Sequence, residues 1–187
     1  VYRVGPKAFA VGQAYPKRSL SQAVRPEMEA LARETGESVN LAVPLGREAL
    51  CLDQVEGTKL VRLFTAPGSR APLHATGVGK VFLAYLGVPE GLSLTPYTPH
   101  TLTRLPDLLR ELEAVRGRGY ALDNEEKELG VRCVAAPVFG ASGGVVAALS
   151  LSAPASRLSL EEAHRLAPRV VEAARRASLR LGYTGEV

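Results

Sequence analysis

Two β-rich runs, residues 130–138 and 145–152, are separated only by the turn Gly140-Ala141-Ser142-Gly143-Gly144. A link that short cannot carry the crossover of a dozen or more residues that parallel strands need, so the two runs must pair antiparallel. The same constraint acts earlier, where residues 38–44, 48–55 and 60–64 are split by Leu45-Gly46 and Glu56-Gly57. With residues 120–124 as a further short run, the pattern predicts an antiparallel sheet of about six strands.

Helical periodicity fills the intervals. Residues 20–34 place Leu20, Val24, Met28 and Leu31 on one face and stop at Thr35-Gly36, and residues 4–14 predict a short helix before them. Thr76 is placed to cap a helix running to about residue 86, and residues 103–118 offer Leu105, Leu108, Leu109, Leu112 and Val115 to a core. Ser159 and Glu162 form a capping box for a last helix with Leu160, Ala163, Ala167, Val170, Val171, Ala174 and Leu181 on one face. Helices, hairpin strands, helices, hairpin strands and a helix make an α+β order: an antiparallel sheet flanked by helices. Residues 1–19 read as a connector too small to hold a core, and residues 20–187 as one domain.

Composition excludes several classes of function. An apolar content of 46% supports a packed domain. No run approaches the roughly 20 apolar residues of a membrane span and the start has no secretory pattern, so a cytoplasmic protein is expected. Two cysteines, Cys51 and Cys133, cannot build a disulfide framework or a four-cysteine zinc site, and both are expected as reduced thiols. Charge is informative only by position. Through Arg33 the chain carries six basic residues against Glu27 and Glu29, while the remainder is balanced, 17 against 17. The basic start reads as a solvated helix surface rather than a phosphate contact. The body lacks the basic stripe of a nucleic-acid-binding face.

The motif at residues 75–80, ATGVGK, imitates a phosphate loop, but His74 stands where the upstream glycine is required and Val81 where Ser or Thr is required. What remains is a glycine turn entering a helix. Its unpaired N–H groups suit a carboxylate, or else Gly77 and Gly79 only allow close packing. Asp123-Asn124-Glu125-Glu126 reads as a solvated acidic loop, since adjacent side chains diverge and the spacing matches no calcium loop. No metal or cofactor is expected. His74, Asp123 and Cys133 could meet to hold zinc or to activate a thiolate, but a buried structural cysteine is the commoner case. Val131 and Cys133, like Ser150 and Ser152, are two apart and share a strand face. If the two faces coincide, a thiol and two hydroxyls enter one cavity.

Residues 72–80 (PLHATGVGK), 116–126 (RGRGYALDNEE), 130–138 (GVRCVAAPV) and 148–152 (ALSLS), in that order, resemble signatures of the effector domain of IclR-family transcriptional regulators. Residues 39–42 (VNLA) and Leu181-Gly182 extend the resemblance to nearly the whole chain, and residues 1–6 (VYRVGP) resemble the end of the family's winged DNA-binding domain and its linker. The resemblance implies a fold like GAF and PAS sensory domains and a homodimer or homotetramer, with DNA contacted only through an N-terminal domain absent from these residues. It implies a ligand held by the backbone of Gly77 and Val78, by Asp123 and Cys133 at a polar end, and by the hydroxyls of Ser150 and Ser152. Val131, Leu63 and Ala71 match positions that shape the apolar wall. The expected function is binding of a small organic acid without chemistry. The alternatives are a thiol-based enzyme or redox sensor using Cys133, and an oligomerisation module with a closed core.

Overall fold

The computed structural model describes residues 17–185. The helix expected over residues 4–14, and with it most of the 1–19 connector, lies outside the described residues. Helix α1 (Lys17–Thr35) buries Val24, Met28 and Leu31 and ends at Gly36, whose φ of 72° is a left-handed conformation that glycine adopts without a Cβ clash. Strands β1 (Ser38–Leu45) and β2 (Glu48–Val55) form the first hairpin, and β3 (Arg70–Pro72) adds to its edge. Helices α2 (Gly77–Leu86) and α3 (Leu105–Arg118) follow. Then come β4 (Ala121–Asn124), β5 (Val131–Phe139), β6 (Val145–Pro154) and helix α4 (Leu160–Arg180).

The six strands form one sheet in the order β3-β2-β1-β6-β5-β4, antiparallel at every step. The two hairpins meet at its centre, where Asn40 opposes Ser150 and Ser38 opposes Ser152. Both faces are covered. Val39, Leu41, Val134, Leu149 and Leu151 pack with α1 and α4, while Ala42, Ala135 and Ala148 pack with Val81, Leu83, Leu108, Leu112 and Val115 of α2 and α3. Alternation sends neighbouring side chains to opposite faces, so the small residues lie under α2 and the large ones under α1 and α4. Helices α1 and α4 are also tied by charge: Arg176 and Arg180 donate to the buried Glu27 carboxylate at 2.7 and 2.9 Å.

Some expectations need correction. Residues 60–64 form no strand. Leu60, Val61 and Phe64 are among the exposed large side chains, Leu60 at 95%, so an apolar composition there does not report packing. The third strand is instead Arg70–Pro72, a short edge within the loop expected over residues 66–72. Pro72 has no N–H to donate, which suits the end of an edge strand. On α3 the buried stripe is Leu108, Leu112 and Val115, and Leu105 and Leu109 face solvent, because α2 covers only one narrow line of that helix. At α4 half of the capping box forms: Ser159 Oγ accepts from the Glu162 N–H at 3.1 Å, but the Glu162 carboxylate pairs with Arg165.

Candidate functional site

Under α2, on the sheet face bearing small residues, lies a cavity of about 140 Å³. Ala71, Gly77, Val78, Asp123, Cys133, Ser150 and Ser152 line it, together with Asn40, Thr65 and Arg70. Register explains the convergence. Cys133 faces Ser152 across β5 and β6 and Asp123 across β5 and β4, and Ser150 lies two residues along the same face. The sheet leaves room here because its facing residues Ala42 and Ala49 are small.

Two expected members stand outside this lining. Val131 pairs with Pro154, two residues from Cys133 along β5, which puts it about 7 Å further along the strand. Leu63 sits in the connection between β2 and β3, where its carbonyl accepts the Ser38 hydroxyl at 2.6 Å.

The end of α2 supplies donors. Thr76 caps the helix, its Oγ1 accepting from the Gly79 N–H at 3.2 Å, and the Thr76 carbonyl takes the Lys80 N–H at 2.9 Å. The N–H groups of Gly77 and Val78 belong to the first turn, where a helix offers them no carbonyl of its own, at the positive end of the helix dipole. Both glycines allow close packing: a Cβ at Gly79 would overlap the Leu73 backbone, and one at Gly77, which also borders the cavity, would stand 3.1 Å from the Ala135 Cβ.

The polar end is shaped by burial. Asp123 is almost fully enclosed, and desolvation raises its pKa to about 7, against the hydrogen bond that its Oδ1 accepts from the Glu126 N–H at 2.8 Å. Burial, with the nearby Asp123 charge, pushes the Cys133 thiol up to about 12. This is the reverse of an activated thiolate. His74 does not join these residues. It lines a separate open groove with Arg47, Tyr97 and Lys127, and its Nε2 donates to the Thr95 carbonyl at 2.9 Å. Among the described residues no group of three or more His, Cys, Asp or Glu side chains could hold a metal ion, and no helix is long and apolar enough to cross a membrane.

Asn40 was not among the expected site residues, though its chemistry is prominent. Its Nδ2 donates to Ser152 Oγ at 3.2 Å, and its Oδ1 accepts from Gln54 Nε2 at 2.7 Å. The alternation Ser38, Asn40, Ala42 on β1 is the signal that could have marked it, once β1 is known to pair with β6. Lys80 is a further surprise: it is 1% exposed, and its Nζ lies 2.6 Å from Glu126 and 3.7 Å from Glu111.

Comparison with known proteins gives a consistent picture. The family model described as Bacterial transcriptional regulator IclR C-terminal matches residues 13–179. The chain is 40% identical over 184 residues to the HTH-type transcriptional regulator BhcR of Paracoccus denitrificans (strain Pd 1222), covering 95% of this chain and 66% of that protein. It thus spans about two thirds of that relative's length. Among solved structures, the Thermotoga maritima IclR superposes with a TM-score of 0.81 at 34% identity, covering 96% of this chain and 75% of that one. The inducer-binding domain of the PobR transcription factor from Acinetobacter, a double mutant in complex with 3-hydroxybenzoic acid, superposes with a TM-score of 0.75 at 26% identity, covering 84% of this chain and 96% of that one.

Proposed function

The chain belongs to the IclR family of bacterial transcriptional regulators, matching its C-terminal domain, and from that premise we propose that the cavity under α2 binds a short carboxylic acid as effector. The observation that carries this reading is the convergence of Ser150, Ser152 and the start of α2 on one half-open cavity. A carboxylate taken from water must recover its hydrogen bonds. Two hydroxyls and two backbone N–H groups provide them; Arg70 on β3 also lines the cavity, but it is exposed and paired with Glu48 at 3.1 Å. Asp123 is the far-end partner. With a pKa raised to about 7 it is largely protonated in mildly acidic solution, and its O–H then donates to a second polar group on the ligand.

Size narrows the ligand. A cavity of about 140 Å³ lies below the roughly 300 Å³ at which pockets for drug-sized ligands begin. A two- or three-carbon acid bearing a hydroxyl or carbonyl fits that space better than the larger aromatic acid bound by the PobR domain. The thiol-based alternative finds no support in a Cys133 whose proton is held more tightly than usual and whose nearest imidazole is elsewhere. In the whole protein, effector binding is proposed to change operator binding or assembly of a homodimer or homotetramer, with DNA contacted by an N-terminal domain.

The test is calorimetric titration with glycolate, lactate and propionate. The Ser150→Ala, Ser152→Ala double variant is expected to weaken the best of these acids by about 1–3 kcal/mol, because the carboxylate then enters without its hydroxyl partners. An unchanged affinity would place the site elsewhere.

A further inference from the structure

We infer that Gln54, which stands outside the cavity, selects for acids by fixing which way the Ser152 hydroxyl points. This inference rests on the acid-binding reading above and extends it to a residue that makes no ligand contact. The structure contains a continuous chain of hydrogen bonds. The backbone N–H of Thr65 donates to Gln54 Oε1 at 3.2 Å, Gln54 Nε2 donates to Asn40 Oδ1 at 2.7 Å, and Asn40 Nδ2 donates to Ser152 Oγ at 3.2 Å. Ser152 Oγ in turn lies 3.0 Å from Cys133 Sγ.

The direction of this chain is not free. A main-chain N–H can only donate, so the Gln54 group facing Thr65 must be its carbonyl oxygen and the group facing Asn40 its amide nitrogen. The Asn40 amide is then oriented in the same sense, with its nitrogen toward Ser152. Having accepted from Asn40, the Ser152 hydroxyl must send its single proton elsewhere. Its remaining neighbour is the Cys133 sulfur, a weak acceptor, and the cavity lies beside it. A ligand carboxylate oxygen is a far better acceptor than that sulfur, so one backbone N–H in the β2–β3 connection makes Ser152 a donor toward whatever enters. Asn40 is buried at 7% exposure, which keeps water from scrambling the order.

Reversing the chain should reverse the preference. In Gln54→Glu the carboxylate still accepts from Thr65 but has nothing to donate. The Asn40 amide turns to donate toward residue 54, its oxygen faces Ser152, and the hydroxyl proton is consumed there. Ser152 then presents only lone pairs to the cavity.

The experiment titrates wild type, Gln54→Glu and Gln54→Met with the tightest-binding of glycolate, lactate and propionate and with the amide of the same acid. A salt concentration of about 0.5 M reduces but does not remove repulsion from the added, part-buried charge, and the uncharged amide is the control for what remains. Gln54→Glu is expected to weaken the acid at least fivefold and to bind the amide more tightly than wild type does. Gln54→Met, uncharged and unable to fix the order, is expected to weaken the acid about two- to fivefold. Thermal melting checks that each variant is folded. Charge repulsion alone cannot raise amide affinity, so an acid loss without an amide gain in Gln54→Glu overturns the inference, as does an unchanged acid-to-amide ratio. If wild type binds none of the three acids, the acid-binding reading itself falls, and this inference with it.

Discussion

Lys80→Met is expected to destabilise the domain by about 3–5 kcal/mol, a large part of the total stability of a domain this size. The cause is the company Lys80 keeps. Its ammonium is enclosed at 2% side-chain exposure, 2.6 Å from Glu126 Oε1, and Glu126 is itself only 8% exposed. The Glu126 carboxylate has few other partners. Its Oε1 also accepts from the Asn124 N–H at 3.2 Å, while Oε2 is buried with no hydrogen bond. Removing the lysine leaves an uncompensated charge beside Asp123, whereas removing both charges does not. The double variant Lys80→Met, Glu126→Gln should therefore regain more than half of the loss, because glutamine still accepts from Asn124. Urea unfolding of the three proteins checks this; a single-variant loss below about 1 kcal/mol would show that the ion pair is not what holds α2 to the β4–β5 turn.

That pair also illustrates what the sequence does and does not disclose. Periodicity was enough for α1 and α4, whose buried faces at Val24, Met28, Ala163, Ala167 and Val170 repeat every three or four residues. Tight turns were enough for the two hairpins. Leu60–Phe64 misled because the same apolar composition serves a strand and an exposed connection, and only partners across space distinguish them. Cys133, Ser150 and Ser152 could be brought together on paper since each follows from alternation along a strand, whereas Asp123 is reached only through the family resemblance: its stretch reads as a solvated acidic loop, yet Asp123 and Glu126 are buried. The juxtaposition of these residues with Asn40 was not legible, because the β1–β6 pairing joins residues 110 positions apart, as Asn40 and Ser150 are. Lys80 sits 46 residues from Glu126 and no periodic signal joins them, so the sequence names no partner for the one charged residue of this otherwise apolar helix.

Asp123→Asn is expected to stabilise the ligand-free domain increasingly as pH rises above about 4, by about 4 kcal/mol at most once pH reaches 7. The carboxyl titrates near 3.8 in an unfolded chain and at about 7 here, chiefly through desolvation. Below about pH 4 it is protonated in both states and costs folding nothing. As pH rises from there toward 7 the unfolded chain ionises while the folded one retains its proton, so stability is lost at about 1.4 kcal/mol per pH unit until the folded group also ionises. The charged groups facing it are known: Glu126 raises its pKa further, Lys80 lowers it, and Cys133 opposite stays a neutral thiol over this range. An asparagine keeps an oxygen to accept the Glu126 N–H and never ionises, so the difference between variant and wild type should be small near pH 4, grow through pH 5 and 6, and level off above 7. Binding should follow the same titration. Ionised Asp123, itself buried, repels a ligand carboxylate in the cavity it lines, so acid affinity in wild type should fall as pH passes 7 and stay level in Asp123→Asn. Unfolding and titration curves for both proteins across pH 5 to 9 decide the point, and parallel curves would mean that Asp123 ionises in the cavity as freely as it does in water.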